Sequence, residues 1–200
     1  VVNKPVNLLT STVPREPRPT LLKLVREHCP GHRVGLIHRL DKDVSGLLVF
    51  SKTDLAYRAL KAALKRREIE RIYLAIVSSR PPHPKAVIHS RLLERTDGTV
   101  VSVKHGGEPA STHYTVLRSD GTRSLLRVRL ETGRKHQIRV HLAEMGCPVV
   151  NDPLYGNATP SGRMMLHGAE LAFAHPVTGA PLKFTAALPR EMKQILPGGD

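Results

Sequence analysis

The rhythm of apolar and polar residues changes several times along this chain. In "TDLAYRALKAALKRRE" (53–68), Leu55, Ala56, Ala59, Leu60, Ala63 and Leu64 recur at three- and four-residue steps. That spacing predicts a helix with an apolar face, and Arg58, Lys61, Lys65 and Arg66 take the opposite side. "TLLKLVREHCPG" (20–31) predicts a shorter helix, with Thr20 as N-cap and Gly31 ending the turn after Pro30. "KHQIRVHLAEMG" (135–146) predicts a third, stopped at Gly146, with Ile138, Leu142 and Met145 as its buried stripe.

Strand signals are more numerous. "GLIHRL" and "GLLVFSK" flank an acidic loop, and "RIYLAIVSS" follows the second helix. "AVIHSRLL", "THYTVLRS" and "RSLLRVRLE" are separated by turns at "TDGT" and "SDGT". "AELAFAHP" and "LKFTAALP" are joined by "VTG" near the end, while "VPREPRP" (13–19) reads as an extended loop. Many strands with few helices predict an α+β fold built on a mixed, mainly antiparallel sheet with a few flanking helices. One domain over 1–200 is expected; "RPPHP" (80–84) is the best internal boundary but is too short to be an interdomain linker.

Composition narrows the class. At 200 residues and 40% apolar content, the chain can bury one core. No apolar run approaches the roughly 20 residues of a membrane helix, so a soluble, cytoplasmic protein is expected. It begins "VVNKP", without methionine and already in strand-like residues, which suggests that the true N-terminus is missing. Cys29 and Cys147 are the only cysteines and read as reduced thiols; His136 and His141, five apart, lack metal-ligand spacing. Charge changes the picture most. Lys and Arg number 31 against 17 Asp and Glu, a formal +14 spread through the whole chain. Such a field draws polyphosphate, so nucleic acid is the favoured partner.

Two stretches carry candidate chemistry. "IHRLDKDVSGLLVF" (37–50) sets Asp41 and Asp43 between apolar runs. Its "HR-D" is not a kinase catalytic loop, because Leu40 intervenes and no glycine-rich phosphate loop or "DFG" accompanies it. "DKDVSG" mimics the first half of an EF-hand, but position 12 would be Lys52 where calcium needs a glutamate. Taken alone, Asp41 is either a turn former or a reacting carboxylate. The second stretch, "ETGRKHQIRVHLAEMGCPVVNDPLYG" (131–156), crowds Arg134, Lys135, His136, Arg139 and His141 around a short helix. His136 and Arg139, three apart, share a face, and Arg139 beside the apolar stripe is expected to meet an acid.

Together these stretches resemble the RluA-type pseudouridine synthases. The family pattern "HRLDxxTSGL" stands here as "HRLDKDVSGL", and "GRxHQIRVHLxxxGxPxxxDxxYG" is almost whole at 133–156. "VVNKP", "RIY" (71–73), "AxTxY" at 110–114 and "MLHG" (165–168) follow the family's order, so the likeness covers nearly the whole chain. Val44 replaces the family's usual threonine and Arg71 its lysine, while Asn7 and Asn151 stand where glycine is common. Nothing resembles the small N-terminal RNA-binding domain that some relatives carry.

The resemblance implies a pseudouridine synthase catalytic fold with a central active-site cleft. It also implies isomerisation of specific uridines in structured ribosomal or transfer RNA, without cofactor or metal. Asp41 matches the catalytic aspartate, acting as nucleophile at C1′ or through a glycal route. Arg139 matches the arginine that pairs with that aspartate, and Tyr73 the active-site tyrosine, placed to stack on uracil and near the C5 proton. A uridine in folded RNA must be extruded, and Arg39 matches an arginine that fills the vacated space or holds neighbouring phosphates. His38, Arg134, Lys135, His136 and Gln137 are the further RNA-binding or base-flipping candidates. The basic helix face of Arg58, Lys61, Lys65 and Arg66 either holds phosphates or is a solvated surface. The rival reading is a catalytically idle RNA-binding or RNA-folding factor on the same fold, and a monomer is the default.

Overall fold

The computed structural model describes residues 1–11, 17–159 and 162–196. Residues 13–16 of the loop expected at "VPREPRP" therefore lie outside the described residues. Contacts gather into two compact units, Val1–Arg71 with Gly168–Ala187, and Ile72–His167 with Leu188–Asp200.

The first unit holds β1 (Val2–Lys4), α1 (Leu21–His28), β2 (Gly35–Leu36), β3 (Ser45–Leu48), β4 (Phe50–Ser51) and α2 (Asp54–Lys65). Most of β10 (Leu166–Ala174) and all of β11 (Pro181–Thr185) complete it. Strand order is β1-β3-β10, with β11 on β10; β1 and β3 are antiparallel, Lys4 lying opposite Gly46. Both helices start where a threonine satisfies an orphan amide. Thr20 accepts from Lys23 N at 3.3 Å and Thr53 from Ala56 N at 3.2 Å. Ile37, Leu47, Val49, Leu60, Ile69, Leu171 and Phe173 form the core, with Ala63 and Leu64 of α2 packed on it.

Leu55 departs from the expected apolar face of α2, being 59% exposed while Leu60 is 3% exposed. Five residues are about 140° around a helix, so the arc that seats Leu60 turns Leu55 to solvent. Gly46 is required by its surroundings. Its φ is +125°, and a Cβ there would strike the backbone of Gly168.

The second unit is a sheet in the order β5-β9-β8-β6-β7, antiparallel at every pairing. Its strands are β5 (Glu70–Val77, entering from the first unit), β6 (Lys85–Glu94), β7 (Val100–Val103), β8 (Glu108–Ser119) and β9 (Ser124–Leu130). The helices are α3 (Gln137–Glu144) and the short α4 (Arg190–Lys193). "RPPHP" lies inside this unit, and the change of unit comes earlier, at Arg71.

Both "DGT" turns close in the same way. Asp97 Oδ1 accepts from Thr99 N at 2.8 Å, and Asp120 Oδ1 from Thr122 N at 2.8 Å. Strand β7 has only four residues and follows one of these turns at once, leaving too little alternation to announce it. The two asparagines at glycine positions adopt the left-handed region, Asn7 with φ 62° and Asn151 with φ 60°. Asn tolerates that conformation better than other side chains, so the substitutions keep the backbone the family's glycines allow.

Helix α3 is not two-sided as its stripe suggested. Gln137, Ile138, Arg139, Val140, His141 and Leu142 are all buried, and Met145 is only half-buried. Over these six residues the helix is enclosed and loses the polar face that a surface helix would show, while Glu144 at its end is exposed. Val140 packs on Leu92, Val100 and Ala110 of the adjoining strands.

Candidate active site

In the first unit, Asp41 sits in a turn held on both flanks. Thr10 Oγ1 donates to Leu40 O at 2.6 Å and accepts from Leu40 N at 3.2 Å. Lys4, fully buried, donates from Nζ to Lys42 O at 2.9 Å, and to Pro5 O and Leu8 O at 2.8 Å each. Val44 N closes the turn on Asp41 O at 3.2 Å. Leu40 and Val44 are buried around the half-buried Asp41, so the backbone that aims its carboxylate is fixed by core and ammonium together. The strand before this loop is shorter than "GLIHRL" suggested, ending at Leu36, so residues 37–44 form an irregular, tethered segment.

Arg39 is exposed, but His38 is 8% exposed, and both its ring nitrogens are buried without a hydrogen-bond partner. Burial pushes the His38 pKa down to about 3, with the charges of Arg71 and Lys61 acting in the same direction. His38 is therefore a neutral ring at physiological pH. On α2, Arg58 and Lys65 are exposed; Lys61 Nζ donates to Ile37 O at 3.2 Å, and Arg66 makes a bidentate exposed pair with Glu68.

In the second unit, Tyr73 is 6% exposed on β5, opposite Val128 of β9. Arg139 is 3% exposed on α3 and meets an acid, as its position suggested. Its Nε donates to Asp152 Oδ2 at 2.7 Å and an Nη to Oδ1 at 2.8 Å. Asp152 is fully buried, and its Oδ1 also accepts from Leu154 N at 2.9 Å and Tyr155 N at 3.1 Å. Burial alone would raise the Asp152 pKa. The hydrogen bonds and charge of Arg139, with those two amides, outweigh it and hold the carboxyl below its ordinary range.

The Tyr155 ring lies under the Arg139 guanidinium at 5.1 Å, and its hydroxyl is 2.8 Å from His136 Nδ1 and accepts from Val100 N at 2.8 Å. The expected neighbourhood of His136 and Arg139 thus exists, but it runs through a tyrosine, with His136 itself at the left-handed N-cap of α3. Asp152 and Tyr155 were not singled out in the sequence, although "NDPLYG" belongs to the quoted pattern. Their signal was a carboxylate and a tyrosine three residues apart in a turn, downstream of a helix whose arginine needed an acid.

The other candidates of this unit are also engaged. Gln137 is 2% exposed, and its amide is saturated. Its Oε1 accepts from Thr132 Oγ1 (2.8 Å) and Arg134 N (3.0 Å), and its Nε2 donates to Ser111 O (3.0 Å) and Thr112 Oγ1 (2.9 Å). Gln137 ties the loop before α3 to β8. Arg134 pairs with Glu108 at 3.1 Å and Lys135 with Glu94 at 2.6 Å, both at partly exposed positions. Among the described residues, no three of His, Cys, Asp and Glu gather as metal ligands would.

Comparison with known proteins gives concordant results. A family model described as RNA pseudouridylate synthase matches residues 1–144. A protein of Chloroflexus aurantiacus named an uncharacterized RNA pseudouridine synthase is 40% identical over 97% of this chain and 64% of its own length. The ribosomal large subunit pseudouridine synthase D of Zymomonas mobilis is 36% identical over 98% of this chain and 68% of its own. The chain thus spans about two-thirds of the length of such relatives. Among solved structures, human RNA pseudouridylate synthase domain containing 1 superposes with a TM-score of 0.74 at 26% identity, covering 92% of this chain and 78% of that one. Human RNA pseudouridylate synthase domain containing 4 shares the fold, with a TM-score of 0.78 at 24% identity over 95% and 85% of the two chains.

Proposed function

The chain belongs to the RNA pseudouridylate synthase family, and from that premise we propose that it converts uridine to pseudouridine in structured RNA. The bond from ribose C1′ to N1 of uracil breaks, the base turns, and C5 bonds to C1′. N1 gains a proton and C5 loses one, so no atoms are exchanged with a co-reactant. Asp41 supplies the carboxylate, attacking C1′ or drawing the reaction through a glycal. Arg139 is the guanidinium that the resemblance pairs with that carboxylate, favouring its charged form. Tyr73 stacks on the base and stands near the C5 proton.

One observation supports this reading above the others: Arg139 is buried and gripped in two directions by Asp152 with an aromatic ring beneath it. A buried ion pair is seldom worth more to folding than apolar residues of the same volume. Retaining one suits a guanidinium whose orientation matters to chemistry.

Arg39 enters the space left by the extruded base or holds the flanking phosphates. Arg134, Lys135 and His136 line the RNA path, and Arg58, Lys61, Lys65 and Arg66 add phosphate contacts. His38 contributes as a neutral ring, and Gln137 by holding the loop before α3. The name of the Zymomonas relative makes large-subunit ribosomal RNA the substrate to try first, ahead of transfer RNA. Among the described residues no helix is long and apolar enough to cross a membrane, and we place the protein with its RNA in the cytoplasm, acting as a monomer.

The test maps pseudouridines in total RNA from cells carrying the wild-type protein, Asp41→Asn, or neither. The expected result is a site present only with wild type, while Asp41→Asn still binds the RNA. Full modification by Asp41→Asn would remove Asp41 from the chemistry. No site differing among the three strains would favour an idle RNA-binding factor.

A further inference from the structure

The second unit carries a basic groove on the sheet face that Tyr73 does not occupy. Directly opposed residues of neighbouring strands share a face, and successive residues alternate. Tyr73 lies opposite Val128, so Arg127 and Arg129, opposite Leu74 and Ile72, point the other way. Registers continue the pattern. Arg127 faces Thr115, which faces Lys85; Arg129 faces His113, which faces Val87. These six residues line a groove of about 410 Å³. The Tyr73 side of the same sheet is the side on which α3 packs, through Val140 against Ala110 and Leu92.

The groove gathers basic side chains on one sheet face. Arg127 and Arg129 are two residues apart on β9, about 7 Å, and Lys85 stands two strands across, about 10 Å. Like charges on one sheet face repel. Glu131 lies in the same row, where it pairs with His113 Nε2 and comes within 3.9 Å of Arg129. Half-buried arginines at such spacing are set for an extended polyanion, and the formal +14 of the chain adds a long-range attraction.

We propose that this groove is a second RNA-docking track, which takes the phosphodiester backbone of substrate RNA outside the nucleotides at the active site. The proposal rests on the reading of RNA as substrate. It adds that recognition extends to the sheet face opposite Tyr73, so that a longer RNA is held at two places.

The experiment measures binding of the full chain to polyuridylate across a salt series, for wild type and for Lys85→Gln/Arg127→Gln/Arg129→Gln. Each lost single-strand phosphate contact removes about 0.7 from the slope of log K against log salt, so the triple variant is expected to be shallower by about 2. A control removing equal charge from exposed positions of the first unit, Lys23→Gln/Lys52→Gln/Lys183→Gln, keeps the wild-type slope. Arg127→Lys/Arg129→Lys, which preserves charge, also keeps it and guards against a folding artefact. A triple variant with the wild-type slope, or with the same change as the control, overturns the proposal. Protection of the groove by polyglutamate without any change in RNA slope would assign the face to an acidic protein and overturn it too. Pseudouridine mapping is read separately, so failure of the isomerase reading and failure of this surface are distinguishable.

Discussion

Replacing Asp152 with asparagine isolates the ion pair that holds Arg139. Asparagine keeps an oxygen where Asp152 Oδ1 accepts from Leu154 N and Tyr155 N, so the turn survives and the charge alone is lost. What remains is a guanidinium 3% exposed that keeps its 2.8 Å bond to the retained oxygen but loses the carboxylate charge and the acceptor at 2.7 Å. Removing one member of a buried pair costs about 3–5 kcal/mol, because the other charge stays desolvated. Urea unfolding should therefore show Asp152→Asn destabilised by that amount at neutral pH, with little change in the denaturant slope.

The pH dependence has a definite sign. The folded Asp152 pKa is below its ordinary value of 3.8, so its contribution is fully present above that value and is lost as pH falls through the folded pKa. The gap between wild type and variant should be flat at neutral pH and close in acid. A second variant separates stability from chemistry. Arg139→Met/Asp152→Asn should recover most of the lost stability, since it removes the stranded charge and keeps the oxygen that accepts from Leu154 N and Tyr155 N, yet form no pseudouridine. A loss below about 1 kcal/mol for Asp152→Asn, or an active Arg139→Met/Asp152→Asn double variant, would refute the reasoning.

Lys4→Met should lower the unfolding free energy by about 3 kcal/mol, read by thermal melting. It strips the ammonium from three carbonyls, including Lys42 O beside Asp41, and leaves them without that donor in the interior. Tyr73→Phe should bind RNA as wild type does but stall at loss of the C5 proton, seen as slowed tritium release from C5-labelled RNA; unchanged release would leave the ring only a stacking role. In NMR titration the His38 ring should stay neutral from pH 8 to 5, its pKa being lowered to about 3 by burial first and then by Arg71 and Lys61. The linked stability is present above the unfolded value of about 6.5 and declines as pH falls below it, so a midpoint near 6.5 in the folded protein would contradict the buried placement.

What was legible in the sequence was local. Helices α1 and α2 follow from three- and four-residue apolar spacing and from threonines at their starts, because capping and periodicity act within one or two turns. The two "DGT" turns and most strands are local in the same sense. Asn7 and Asn151 could be read as stand-ins for glycine, and both adopt positive φ. The roles proposed for Asp41, Tyr73 and Arg139 rest on the order of motifs along the chain.

Tertiary structure alone decided how charges and polar groups are partnered. The acid on Arg139 comes from 13 residues downstream, beyond the reach of helix periodicity, as Asp152. His38 and Gln137 look like surface polar residues by type, but the fold buries one without ring partners and saturates the other with four hydrogen bonds. Leu55 and α3 make the same point about faces, since an apolar stripe records which residues could be buried and not which neighbours arrive to bury them. The basic groove needs three strands in register before Lys85, Arg127 and Arg129 become neighbours. Pairing across strands is set by the whole sheet and by burial of its covered face, a non-local energy that no window of sequence contains.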